Sequence, residues 1–273
     1  MSRIEKALEK AARLRGDDIA PKRPQERDVH YLQAPRHATR IASLGVPHLV
    51  AFHDPASPVS EEYKKLKARI VSLTKQESFK NMLLVTSAIG GEGKSITAAN
   101  LALSLSQDYD HSVLLVDADV RKPTLHKLFN VTPGIGLSDC VDDDRDLGSA
   151  FIKIGNGNLT LLPSGKRHDN PVELFSSQRM HKALAALKYR YPDRYIIIDT
   201  PPVLLFAETK MISSFVDGII FVVKEGRAPL QHIADALDVL KGEEIMGVVY
   251  NGVGPNGLNG RFAYHNYYAD YTK

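Results

Sequence analysis

MLLVTSAIGGEGKSITAANLALSLS, residues 82–106, switches periodicity halfway along. Its opening, MLLVTSA, is a largely apolar run with no polar face, which predicts a strand buried on both sides of a sheet. Its end, ITAANLALSLS, is apolar at helical spacing. Between them lies AIGGEGKS, Ala88–Ser95. Strand, glycine loop and helix in that order make a phosphate-binding loop: Gly90, Gly91 and Gly93 permit close backbone approach, and the N–H groups at the helix N-terminus face an anion. Lys94 would neutralise β- and γ-phosphates and Ser95 would offer a hydroxyl to Mg²⁺. Glu92 and Ile96 complete the candidate nucleotide-contacting stretch. The spacing departs from GxxxxGK[ST] at one position, since Ala88 stands where the first glycine is usual.

Outward from this loop, short apolar runs alternate with helical segments. SVLLVDAD (112–119), LTLLP (159–163), YIIID (195–199), GIIFVV (218–223) and IMGVVYN (245–251) read as strands, with helices near 173–190 and 230–241. This β-α alternation predicts an α/β fold, a mainly parallel sheet with helices on both faces, whose ligands bind at the strands' C-terminal edge. Two strands end in carboxylates there, Asp117 with Asp119, and Asp199. Acids emerging from apolar strands are costly unless they meet a cation or hydrogen-bond donors, and Mg²⁺ would supply the cation. These residues alone do not separate a kinase from an ATPase.

The 273 residues are 43% hydrophobic and 25% charged, enough to bury a large core. No apolar run approaches the roughly 20 residues of a spanning helix, and the charged N-terminus, MSRIEKALEKAARLRG, does not read as a secretory signal. A cytoplasmic location is expected. The single cysteine, Cys140, excludes an intrachain disulfide and a multi-cysteine metal site, and the ten histidines show no zinc spacing. Net charge is +3, and residues 1–50 carry the excess, with ten Lys/Arg against six Asp/Glu. Three regions follow: 1–55, a basic amphipathic helix and linker; 56–253, the nucleotide-binding domain; and 254–273, a glycine- and asparagine-rich tether ending in YHNYYADY. That ending holds four of the eleven tyrosines, Tyr264, Tyr267, Tyr268 and Tyr271.

Together, GGEGKS, LLVDADVRKPTLH, YIIIDTPPV and the tyrosine tail resemble the bacterial tyrosine kinases of exopolysaccharide and capsule synthesis, a P-loop NTPase-like fold of the MinD/ParA type. SPVSEEYKKLKARI and NPVELFSSQRM are similar to further stretches of that family, and the short N-terminus looks like the variant whose kinase is a separate cytoplasmic chain. The resemblance implies a Walker A loop at Gly93, Lys94 and Ser95, a DxDxR motif at Asp117, Asp119 and Arg121, and a Walker B aspartate at Asp199. The family's oligomerising E-x2-R-x2-R motif becomes Glu61, Lys64 and Lys67, where lysine keeps charge but loses bidentate pairing.

The resemblance implies ATP and Mg²⁺ as cofactors and autophosphorylation of the tail in trans. Asp117 would act as base, Asp119 and Asp199 would orient Mg²⁺ with Ser95, and Lys94 would stabilise the transferred group. Expected partners are further copies of the chain in a ring, an octamer being one candidate size, a transmembrane polysaccharide chain-length regulator as activator at the membrane's inner face, and a tyrosine phosphatase. No nucleic acid is expected. A ten-residue tether spans about 18 Å on average and about 35 Å extended, enough to cross a subunit boundary. The rivals are a partitioning or division ATPase, which places a second lysine where Ile89 stands, an iron-sulfur scaffold ATPase, which needs a CxxC pair, and a non-catalytic nucleotide-binding regulatory subunit.

Overall fold

The computed structural model describes residues 38–39, 47–75, 78–108, 111–155, 158–190 and 193–254. The expected N-terminal helix and the four tail tyrosines lie outside them. The strands are β1 (Ala38–Thr39), β2 (Met82–Ser87), β3 (Ser112–Asp117), β4 (Ile152–Ile154), β5 (Leu159–Leu162), β6 (Arg194–Asp199), β7 (Gly218–Lys224) and β8 (Ile245–Asn251). The helices are α1 (Val50–His53), α2 (Pro58–Thr74), α3 (Lys94–Ser106), α4 (Leu125–Leu128), α5 (Leu137–Asp142), α6 (Pro171–Ser176), α7 (Gln178–Arg190), α8 (Ala207–Ser213) and α9 (Leu230–Val239), with a 3₁₀ turn at Leu147–Ala150. The sheet order is β1-β4-β5-β3-β6-β2-β7-β8. Among the strand pairs of the described residues, only β4 with β5 is antiparallel.

Period-two alternation builds two cores from the same strands. Leu84, Leu114, Ile198 and Phe221 face one side, under Phe175, Leu184 and Ile212. Their neighbours Leu83, Leu115, Ile197 and Ile220 face the other, under Ile70, Leu101 and Phe129. Every residue of β2 is buried, which is why its run has no polar face. The parallel register sets Asp199 beside both Val85 and Asp117, so the loop-bearing strand and the two acidic strands end level.

Several elements differ from expectation, β1 among them, since residues 38–39 fall within the expected linker. Residues 47–55 were expected to be linker, yet Leu49 is fully buried and the side chain of Asn100, inside α3, accepts the Ala51 N–H (3.0 Å) and donates to the His48 carbonyl (2.8 Å). Ser57 then starts α2, its hydroxyl accepting the Ser60 N–H with Pro58 in the first turn. The helix expected over 173–190 is two helices. Ser177 is extended (ψ 147°) between them, and its hydroxyl accepts the Met180 N–H, opening α7. Strand β4 was not anticipated, since three residues of IKI carry too little periodicity.

Candidate active site

The loop after β2 is shaped by Gly91 (φ +86°) and Gly93 (φ +89°), both left-handed, a region L side chains avoid. Helix α3 begins directly at Lys94, so its unpaired N–H groups and the positive end of its dipole meet in the loop. Glu92 is fully buried, its carboxylate accepting the Ile89 N–H (2.9 Å). Ile96 lies in the first turn, its carbonyl accepting from Asn100 (2.9 Å).

Lys94 does not point into water. Its Nζ lies 3.2 Å from Asp119 Oδ2, 3.8 Å from Asp199 Oδ1 and 3.3 Å from Ser95 Oγ. Burial pulls the ammonium's pKa down, but Asp199 and Asp119 outweigh it and the net shift is upward, so the charge stays on. Asp117 is fully buried and tied down: Oδ2 accepts the N–H groups of Thr124 (3.1 Å) and Leu125 (3.0 Å), and Oδ1 accepts that of Asp119 (3.3 Å). Burial and then Asp199 push its pKa up, against the pull of the Leu125 N–H. Asp199 is fully buried with no well-aligned hydrogen-bond donor on either oxygen, and burial raises it to about 6 against the opposing pull of Lys94 and of the nearby Ser95 hydroxyl.

A buried carboxylate without hydrogen bonds calls for a cation. Among the described residues no group of three or more acidic, His or Cys side chains converges as a closed cage. One hydroxyl and two carboxylates, Ser95, Asp119 and Asp199, suit Mg²⁺, which keeps waters and takes further oxygens from phosphates. Lys94 stands in the cation position of this cluster.

The expected oligomer residues are occupied within the chain. Glu61 pairs with Lys64 (2.5 Å) and Lys67 approaches Asp108 (3.8 Å). Arg121 turns inward: Nη2 lies 2.7 Å from Oε1 of the fully buried Glu208, Nε donates to the same oxygen (2.8 Å), and the guanidinium sits 4.6 Å over the Phe206 ring. Four residues that the motifs do not signal complete the site. They are Glu208 behind Arg121; Arg227, whose Nε donates to the Gly90 carbonyl (3.3 Å); Lys224, whose N–H donates to Glu92 Oε1 (3.4 Å); and Asn251, whose Nδ2 donates to the Glu92 carbonyl (2.9 Å).

A loop for phosphates with a cation-seeking acidic pair beside it is shared by switch ATPases and kinases, so relatives decide between them. Residues 78–254 match the ParA family, described as NUBPL iron-transfer P-loop NTPase. Over 209 residues the chain is 33% identical to tyrosine-protein kinase YwqD of Bacillus subtilis (strain 168), covering 75% of this chain and 86% of YwqD. This chain belongs to the bacterial tyrosine kinases. The kinase domain of Escherichia coli tyrosine kinase ETK matches it with a TM-score of 0.70 at 28% identity, over 75% of this kinase and 80% of that chain. The septum site-determining protein MinD complexed with Mg-ADP, from Pyrococcus horikoshii OT3, matches at 0.53 and 25% identity, over 62% of this kinase and 69% of MinD. The chain is thus a protein-tyrosine kinase on a ParA/MinD-like P-loop fold.

Proposed function

We propose that this kinase uses Mg-ATP to phosphorylate its own C-terminal cluster, Tyr264, Tyr267, Tyr268 and Tyr271, in trans within a homo-oligomeric ring, and that this cycle regulates the export and chain length of an exopolysaccharide. The observation that carries it is where the tail departs. Asn251 ends β8 against the phosphate loop, and Gly254 is held at the same rim by the Glu225 carboxylate (3.1 Å). A tether of about ten residues that starts at this rim reaches about 35 Å when extended, enough to enter the loop of a neighbouring copy.

In this reading Lys94 leaves Asp119 and Asp199 for the phosphates of the arriving nucleotide, which uncovers the carboxylates. Ser95, Asp119 and Asp199 would hold Mg²⁺, which offsets charge on the transferring phosphoryl group when bound. The incoming phenol, whose ordinary pKa is near 10, passes its proton to Asp117 at Oδ1, the oxygen with one long bond (3.3 Å). Transfer then depends on position and charge more than on covalent help. Each phosphate adds roughly 1.5 to 2 negative charges, so tails repel one another and the ring loosens. A tyrosine phosphatase resets the cycle, and a transmembrane chain-length regulator recruits the cytoplasmic kinase to the membrane and activates it.

Incubation with Mg-ATP, with and without membrane extract, followed by mass spectrometry of the terminal peptide, tests this. Replacing all four tail tyrosines with Phe should remove most phosphotyrosine. Labelling that persists would redirect the search to Tyr250, 48% exposed on β8, ahead of Tyr63, which is half-buried with burial raising its hydroxyl's pKa.

A further inference from the structure

The phosphate loop is fastened from outside by residues that none of the kinase motifs contains. The Glu92 carbonyl accepts from Asn251 Nδ2 at 2.9 Å. Asn251 Oδ1 is in turn taken by the Gly252 N–H (2.8 Å), which turns the amide's oxygen away from the loop and its NH₂ toward it. The contact is close. A Cβ added at Gly93 would lie 2.1 Å from Asn251 Nδ2, so the amide occupies the space that this glycine leaves free. The Glu92 side chain secures the same turn, with one carboxylate oxygen on Ile89 N–H (2.9 Å) and the other on Lys224 N–H (3.4 Å) at the end of β7.

The carbonyl of Glu92 and the N–H of Gly93 belong to one peptide unit. In a planar trans peptide the two point in opposite directions. Holding the carbonyl outward therefore aims the Gly93 N–H inward, toward the cradle where phosphate oxygens bind, and a donor on the carbonyl also polarises that N–H. Arg227 repeats the device two residues earlier, its Nε donating to the Gly90 carbonyl (3.3 Å), the partner of the Gly91 N–H.

We propose that Asn251 is a positioning residue for the kinase reaction: by holding the Glu92 carbonyl it presets the Gly93 N–H as a donor to the nucleotide's phosphates, with Arg227 doing the same for Gly91. The role concerns phosphate binding and holds whether or not the tail is the acceptor.

Titration of the full-length kinase with Mg-ADP and, separately, with Mg-pyrophosphate tests it, because pyrophosphate carries the phosphates and no base. Asn251→Ala should weaken both ligands by about fivefold, the worth of one hydrogen bond. Asn251→Asp, which sets an anion against the carbonyl, should weaken both by about tenfold or more. With a tyrosine copolymer as substrate, the KM for ATP should rise in step while kcat changes less. Arg227→Ala removes an exposed side chain, so folding is spared, and it should weaken both ligands by about twofold to threefold. If Asn251→Asp does not fold, the two alanine variants decide. Binding of both ligands within twofold of wild type in Asn251→Ala would overturn the proposal. So would a loss confined to Mg-ADP, which would assign the amide to the base.

Discussion

Replacing Lys94 with Met in the nucleotide-free kinase removes the cation that two buried carboxylates share, and the consequence should depend on pH in one direction. At separations of 3.2 and 3.8 Å, the two attractions are about 5 and about 4 kcal/mol at an effective dielectric of about 20. Much of that offsets the desolvation of three charges. What remains when one partner of a buried pair is removed is about 3 kcal/mol. The sign follows from Asp199. Burial raises its pKa from 3.8 to about 6, and Lys94 is the strongest influence holding it down. A carboxyl raised in the folded state favours folding while protonated, and that contribution is lost as pH climbs from the unfolded value through the folded one. Without Lys94 the folded value moves higher and the loss extends to higher pH.

Urea unfolding followed by circular dichroism should therefore place Lys94→Met within about 1 kcal/mol of wild type at pH 5 and about 3 kcal/mol below it at pH 8. The m-values should be equal, since the same surface is exposed. Millimolar Mg²⁺ should stabilise the variant more than wild type, because the position that Lys94 fills is open to it. A destabilisation independent of pH, or a variant more stable than wild type at pH 8, would refute the electrostatic account.

Arg121→Ala strands the buried carboxylate of Glu208 and should destabilise the kinase by about 3 kcal/mol, with Arg121→Lys recovering part. If Arg121 served a neighbouring subunit instead, light scattering would change while the melting temperature held. Gly93→Ala forces a left-handed φ of +89° on a side chain and drives its Cβ into Asn251, so ADP affinity should fall by about tenfold to a hundredfold in calorimetry, with circular dichroism unchanged. Leu49→Ala should cost about 2 to 4 kcal/mol in urea unfolding if residues 47–55 are part of the domain, and nothing measurable if they are linker.

The fold was legible where burial was two-sided. VLLVD and YIIID could be read as strands because both of their faces are covered, which leaves no ambiguity of period. Legibility failed where a short element depends on a distant partner. PHLVAFHD looked like linker because its proline and histidines suit one, yet two of its backbone groups are satisfied by Asn100, across a sequence separation of about fifty residues. The break at Ser177 was hidden for another reason. The apolar spacing runs on through it, and a serine shows itself as a cap only once its hydroxyl is seen on the Met180 N–H.

The site divides in the same way. Gly91, Gly93, Lys94 and Ser95 fall within five consecutive residues, so their chemistry could be read locally, and Asp117 and Asp199 announced themselves as charges at the ends of apolar runs. That Lys94 turns onto Asp119 and Asp199 follows only from strand order, since β6 lies between β2 and β3 and brings both acids level with the loop. Asn251 lay further from view. It meets Glu92 across 159 positions because β7 flanks β2 and β8 flanks β7, an order that periodicity does not encode. The same order brings the end of β8, and with it the root of the tyrosine tail, to the phosphate loop. Any force on the tail is thus applied beside the peptide that aims the Gly93 N–H, so tail engagement and nucleotide affinity should be coupled through Asn251, and each should change the other by the same factor.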